Sequence, residues 1–245
     1  MKKNIISLVL FLATTPLFAH YIWIETAPVG KQHTEHFIKV RFGEYTYGVL
    51  EKTDGDAFKS VSKFTLWVMS PSGKKTPLKV SAKEDFYAAS FIPTEDGTYT
   101  IALDNKNIKV LDYTKYDYGI FKGQYHAKAK VVVGNTLSNF NKTNTTGIEI
   151  IDLTDQEFSK ESTVLLQVLF NGEPLKENEL SVFVADLWSK KLKTDKEGKV
   201  TFKLPWETKY IVETIFEEKV PGTFKGLDYD FIWHCATYCI SLKSK

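Results

Sequence analysis

The sequence predicts an all-β protein: two tandem antiparallel β-sandwich domains, Ig-like or transthyretin-like, following a signal peptide. Short alternating or apolar stretches recur between turns rich in Gly, Pro and Asn, which is the pattern of strands. No segment sustains a helical period, and strands at this spacing build sandwiches. A polar, almost uncharged stretch over residues 135–146 divides the chain and reads as a linker.

The chain opens with Lys2 and Lys3, then an apolar run from Ile5 to Leu12, then Ala13 to Ala19. A basic start, an apolar run too short to span a bilayer and a small residue at its end are the parts of a secretory signal peptide. Residues 1–19 are therefore expected to be removed after Ala19, with Leu17 a compromise at the −3 position, leaving a soluble periplasmic protein. No cysteine stands at the expected cut after the apolar run, so a lipid anchor is not indicated.

Residues 20–134 form the expected first sandwich. Phe37 to Phe42 is a strand stopped by Gly43, and Phe64 to Met69 leads into the turn Ser70-Pro71-Ser72-Gly73. Phe86 to Phe91 and Thr98 to Leu103 flank Asp96-Gly97, and Lys128 to Val133 closes this half at Gly134. Residues 147–245 form the second, with strands at Val164 to Phe170, Leu180 to Ala185, Lys199 to Leu204, Tyr210 to Phe216 and Phe231 to Leu242. With 43% hydrophobic residues the chain has material for a real core, and disorder is excluded. Lys2 and Lys3 are the only charged residues before position 20, so a chain starting at His20 carries 30 basic and 30 acidic residues. That balance argues against a nucleic-acid binder.

Cleavage after Ala19 has a chemical consequence. His20 would carry a free α-amine beside its imidazole, two nitrogen donors of the kind that suit Ni, Cu and Zn. A cut one residue earlier would place His20 second, where amine, amide and imidazole nitrogens still converge. Among the other histidines, His36 shares a strand face with Ile38 and Val40 and reads first as a hydrogen-bonded core residue, second as a ligand. His33 lies in a polar run and reads as exposed, while His126 stands beside the Lys128 strand, either lining a site or solvated. His234 shares a face of the last strand with Ala236 and Tyr238. Glu25 reads as a surface carboxylate or as a further ligand. Cys235 and Cys239 allow three readings, in this order: a local disulfide, which needs a bend in the strand; two buried thiols; or a soft-metal site with His234. Gly-x-Ser-x-Gly, phosphate-loop and dinucleotide signatures are missing.

Several stretches together resemble a known family: His20-Tyr21-Ile22-Trp23-Ile24-Glu25, Lys128 to Gly134, Gly147 to Ile151, Phe170 to Leu175, Thr194 to Gly198, and the last strand with His234 and Ala236-Thr237. They are similar to the exported family that includes the additional periplasmic component of energy-coupling-factor nickel or cobalt uptake systems. Cys235 and Cys239 depart from its pattern. The resemblance implies a protein without catalytic activity that captures Ni²⁺ or Co²⁺ and delivers it to an inner-membrane permease of the energy-coupling-factor type. It draws attention to His234, and a site shared by His20 and His234 would tie the start of the mature chain to its last strand. The expected metal ligands are thus His20, His234, His36 and His126. Two alternatives stand beside this: a copper redox protein in which His20 and a second histidine brace the metal, and a structural or adhesive sandwich pair.

Overall fold

The structure, a computed structural model, describes residues 20–137 and 142–242. The expected signal peptide at 1–19 and residues 138–141 of the expected linker lie outside the described residues. Among the described residues strands dominate, with one short helix at Asp56–Val61 and two 3-10 turns. Among the described residues no helix is long and apolar enough to cross a membrane.

The all-β sandwich architecture expected from the sequence is present, in three layers. A central sheet runs, in spatial order, through Trp188–Lys193, Glu179–Val184, Tyr210–Glu218, Phe231–Ile240, Ile120–Val133, Gly97–Asn105, Thr65–Met69 and Lys75–Pro77. A first outer sheet, built on Tyr21–Thr26, His36–Glu44 and Tyr87–Phe91, covers one face. A second, built on Ile148–Asp152, Thr163–Phe170 and Lys199–Lys203, covers the other.

The strand pattern did not announce that the two halves share the central sheet. Ile120–Val133 from the first half pairs with Phe231–Ile240 from the second, in parallel, from Phe121 opposite Phe231 to Ala129 opposite Cys239. A parallel pair needs a long crossover, and the whole second half serves as one here. Pairing is otherwise antiparallel, except where Val29–Gly30 joins the end of the 120–133 strand.

Side-chain alternation then decides which core each residue joins. On the last strand Phe231, Trp233, Cys235 and Cys239 enter the core beneath the first outer sheet. Ala236, Tyr238 and Ile240 enter the core beneath the second. Trp23, Phe58 and Phe121 are almost wholly buried in the first core, each contributing roughly 2–3 kcal/mol by leaving water. The last strand also anchors the first one, since Thr237 Oγ1 donates to the Ile22 carbonyl at 2.6 Å.

The second face of the 120–133 strand is polar but buried. Gln124, His126 and Lys128 are all at most 9% exposed there. Lys128 pairs with Glu149, and Lys130 with Asp152 at 2.6 Å. Tyr238 donates to the same Asp152 at 2.7 Å. The described end of the expected linker is docked on this seam, because Thr143 Oγ1 and the Asn144 N–H both donate to Glu149.

A candidate metal centre at the mouth of an aromatic cleft

His20 is positioned by strand register. Tyr21 lies opposite Gly43 in an antiparallel pair, so one step back His20 faces Glu44. The chain then reverses through the Tyr45–Tyr47 turn, capped by Gly48 in the left-handed region at φ 69°. It returns alongside itself, with Glu51 N–H donating to the Phe42 carbonyl at 2.9 Å. Gly43 makes the return possible: a Cβ there would stand 2.1 Å from the Val49 carbonyl oxygen. The reversal brings two carboxylates to one imidazole. His20 Nδ1 lies 3.0 Å from Glu44 Oε1, and His20 Nε2 lies 2.8 Å from Glu51 Oε1. The ring rests against Phe42 at 5.5 Å between centroids, and the Tyr125 hydroxyl donates to the His20 carbonyl at 3.1 Å.

His20 and Glu44 stand on the wall of a cleft of about 410 Å³. Phe42, Tyr113, Phe121, Tyr125 and Trp233 supply aromatic surface, and the short helix closes one side through Ala57, Ser60 and Val61. The Tyr125 and Trp233 rings meet edge to face at 5.5 Å. Lys109 is the one basic side chain lining the cleft among the described residues. An apolar cavity with a few polar groups at one end is the usual form of a small-ligand site.

His20 and Glu44 could hold a transition cation only with a further donor. Metal-binding histidines commonly have their second nitrogen held by a carboxylate, which fixes the ring and raises its basicity. Glu51 stands at Nε2 in that role, leaving Nδ1 and Glu44 on the side that the α-amine of a processed chain would share. Among the described residues no three His, Cys, Asp or Glu side chains form a metal-binding group. The third donor would have to be that amine.

The other expected ligands are not brought to His20. Alternation places His234 and His126 on the opposite face of the central sheet from Trp233 and Tyr125, so the site shared by His20 and His234 is ruled out. His126 and His234 do meet one another there, their rings 6.3 Å apart and 13° from parallel. His36 is a core residue. Its Nε2 is 2.7 Å from Thr26 Oγ1, it packs on Phe91, and burial holds its pKa below the ordinary histidine value against a hydrogen bond to the Ala27 backbone. His33 is exposed at a turn with φ 58°. Glu25 is committed elsewhere, to Arg41 at 3.1 Å and Lys209 at 2.7 Å. Burial alone would raise its pKa; Lys209 and the surrounding donors bring it below the ordinary value.

The cysteines overturn the first-ranked reading. Cys235 and Cys239 are free and buried, because the strand carrying them is straight and pairs on both sides without a bend. Burial pushes the Cys235 thiol well above its usual pKa, helped by Glu213 beside it, and the Cys239 thiol up to about 12. Neutral, enclosed thiols make neither a disulfide nor a soft-metal site with His234, whose side chain points to the other core.

Glu44 and Glu51 were missed from the sequence. The signal for Glu44 was available: once the first strand is paired antiparallel to the next with Tyr21 opposite Gly43, Glu44 is the partner of His20. Glu51 depends on how the Tyr45–Gly48 reversal is shaped, which residue types alone do not fix.

The fold and the site together define an all-β sandwich protein with a histidine–carboxylate cluster on the rim of an aromatic cleft. Residues 17–218 match the DUF4198 family, described as a domain of unknown function, and the chain belongs to that family. No curated protein matches it. Among solved structures it is similar to a DUF4785 family protein from Legionella pneumophila subsp. pneumophila, with 8% identity and a TM-score of 0.31. That match covers 81% of this chain and 53% of the other, so this chain spans about half the length of its structural relative. A likeness that loose carries no argument about either protein.

Proposed function

We propose that this is an exported metal-binding protein. It captures Ni²⁺, or Co²⁺, at His20 and delivers it to an inner-membrane uptake permease of the energy-coupling-factor type. The observation that carries the reading is the imidazole of His20 held between Glu44 and Glu51 at the edge of a cleft. Signal-peptide removal after Ala19 adds the α-amine, completing a set of two nitrogens and one oxygen. His20 is 36% exposed at its side chain, which suits a cation that is bound and then handed on. The resemblance to periplasmic components of nickel and cobalt uptake systems supports the delivery step. The aromatic cleft beside the cluster would receive the organic part of a chelated metal, since stacking and apolar surface recognise such ligands without charge.

The copper-brace reading needs a second imidazole facing His20, and among the described residues the cleft lining contains no other histidine. It therefore gains no support from the geometry.

The test is a native-state calorimetric titration of the chain starting at His20 with Ni²⁺. One equivalent is expected, lost in His20→Ala. No Ni²⁺ binding by the processed chain would overturn the proposal and favour the structural or adhesive reading.

A further inference from the structure

The cleft beside His20 has a recognition chemistry of its own, apart from any metal. One wall is built on the two central strands that pair in parallel. Phe121, Gly123 and Tyr125 alternate onto one face of the first strand, and Trp233 lies opposite Gly123 on the second. Glycine in the middle of that row leaves a notch between two aromatic side chains. Ile108 floors it, its Cγ2 3.4 Å from where a Gly123 Cβ would stand. The rings around the notch hold one another in place: Phe121 meets Trp233 at 6.3 Å and Tyr113, edge to face, at 5.5 Å. They offer preformed apolar faces and edges to a volume of about 410 Å³, within the range of small-molecule sites.

The polar groups bordering the cleft are unequally committed. Glu44 is held by His20 at 3.0 Å, and His20 is held on its other nitrogen by Glu51. The Tyr125 hydroxyl donates to the His20 carbonyl, and the Ser60 hydroxyl to the Ala57 carbonyl at 2.7 Å. Lys109 differs from all of these. It lines the cleft, is exposed, and has no ion pair among the described residues. Its chain position is fixed beside the ring row, because Val110 pairs with Lys122, next to Phe121.

We propose that the cleft binds a small aromatic carboxylate, with its ring in the notch among Phe121, Tyr125 and Trp233 and its acid group on Lys109. The ring gains burial together with edge-to-face contact. The acid group supplies the partner that Lys109 lacks, and a cationic ligand would find Glu44 already bridged to His20. The site stands on the ring row and Lys109, so it is present whether or not His20 holds a metal.

The experiment titrates the chain starting at His20 with phenylpropionate and with indole acetate, followed by calorimetry in the presence of a chelator. A Ni²⁺ titration of the same protein without chelator reads the His20 site separately, so the two proposals can fail independently. One saturable site is expected for the acids, with phenylpropionamide bound about fivefold more weakly than its acid, as befits an exposed ion pair. Lys109→Gln should bring the acid down to the level of the amide. This ratio is read within each variant, so a loss of folded protein does not mimic it. Ser60→Trp and Ala57→Leu, which fill the cleft from the helix side, should weaken acid and amide alike. Failure of both acids to bind, or binding untouched by both helix substitutions, would overturn the proposal. An acid-to-amide ratio that Lys109→Gln leaves unchanged would overturn it as well.

Discussion

Glu51 holds Nε2 of His20 at 2.8 Å, and so leaves Nδ1 turned toward Glu44 at 3.0 Å. One carboxylate holds each ring nitrogen, so the imidazole is fixed from both sides. The two glutamates lie on either side of a single chain reversal, so strand register and the Gly43 contact decide whether the cluster exists.

This division of labour predicts unequal losses. Glu51→Gln keeps a group that can bond Nε2 but removes the negative charge, and should weaken Ni²⁺ binding about tenfold; Glu44→Gln removes a donor and should cost about 100-fold. Competition against a chromophoric chelator reads both. Equal, negligible effects would show that neither carboxylate belongs to the site.

Glu213 gives a pH dependence that does not involve the metal. Burial raises its pKa to about 7, with the Cys235 hydrogen bond opposing and Glu179 adding to the rise. The unfolded chain releases this proton near the ordinary value of 4.5. Its contribution to stability is thus fully present below that value and is lost as pH rises through about 7. Between about pH 4 and about pH 8, the wild type should lose roughly 3 kcal/mol relative to Glu213→Gln in urea unfolding. A stability difference that stays constant with pH would contradict the assignment.

The thiols should be inert in the folded protein. Cys235 and Cys239 are buried with raised pKa values, so a thiol reagent at mildly alkaline pH should label neither until denaturant is added, and then both. Reductant should leave the melting temperature unchanged. Titration of no free thiol after unfolding would restore the disulfide reading.

The Lys128–Glu149 pair at the seam is buried on both sides. Lys128→Met should cost about 3–5 kcal/mol, because Glu149 keeps its buried charge with no cation beside it, held only by the donors of Thr143 and Asn144. Adding Glu149→Leu should recover much of the loss. Unfolding curves of the single and double variants check this; a single substitution costing under about 1 kcal/mol would show the pair is already solvated.

Much of the fold was legible because alternation is a local property. The strands around Phe64 to Met69, Val164 to Phe170 and Tyr210 to Phe216 are where the apolar pattern places them. The face shared by His234, Ala236 and Tyr238 is also as alternation requires. The parallel pairing of the 120–133 and 231–240 strands was not legible, since it joins segments more than a hundred residues apart. It accounts for His20 and His234 lying on opposite faces of the central sheet and for the meeting of His126 and His234. A warning did lie in the sequence: Gln124, His126, Lys128 and Lys130 alternate with apolar residues in a strand that is buried on both faces. Such a row must find partners, and here Asp104 on the neighbouring strand and Glu149 and Asp152 across the layer supply them.

The central claim is that export itself creates the binding site at His20. The most direct measurement compares Ni²⁺ affinity of the chain starting at His20 with that of the same chain carrying one extra residue before it. The account predicts at least about a tenfold loss on extension, roughly 1.4 kcal/mol or more, as the amine is converted to an amide. Equal affinity in the two forms would contradict it.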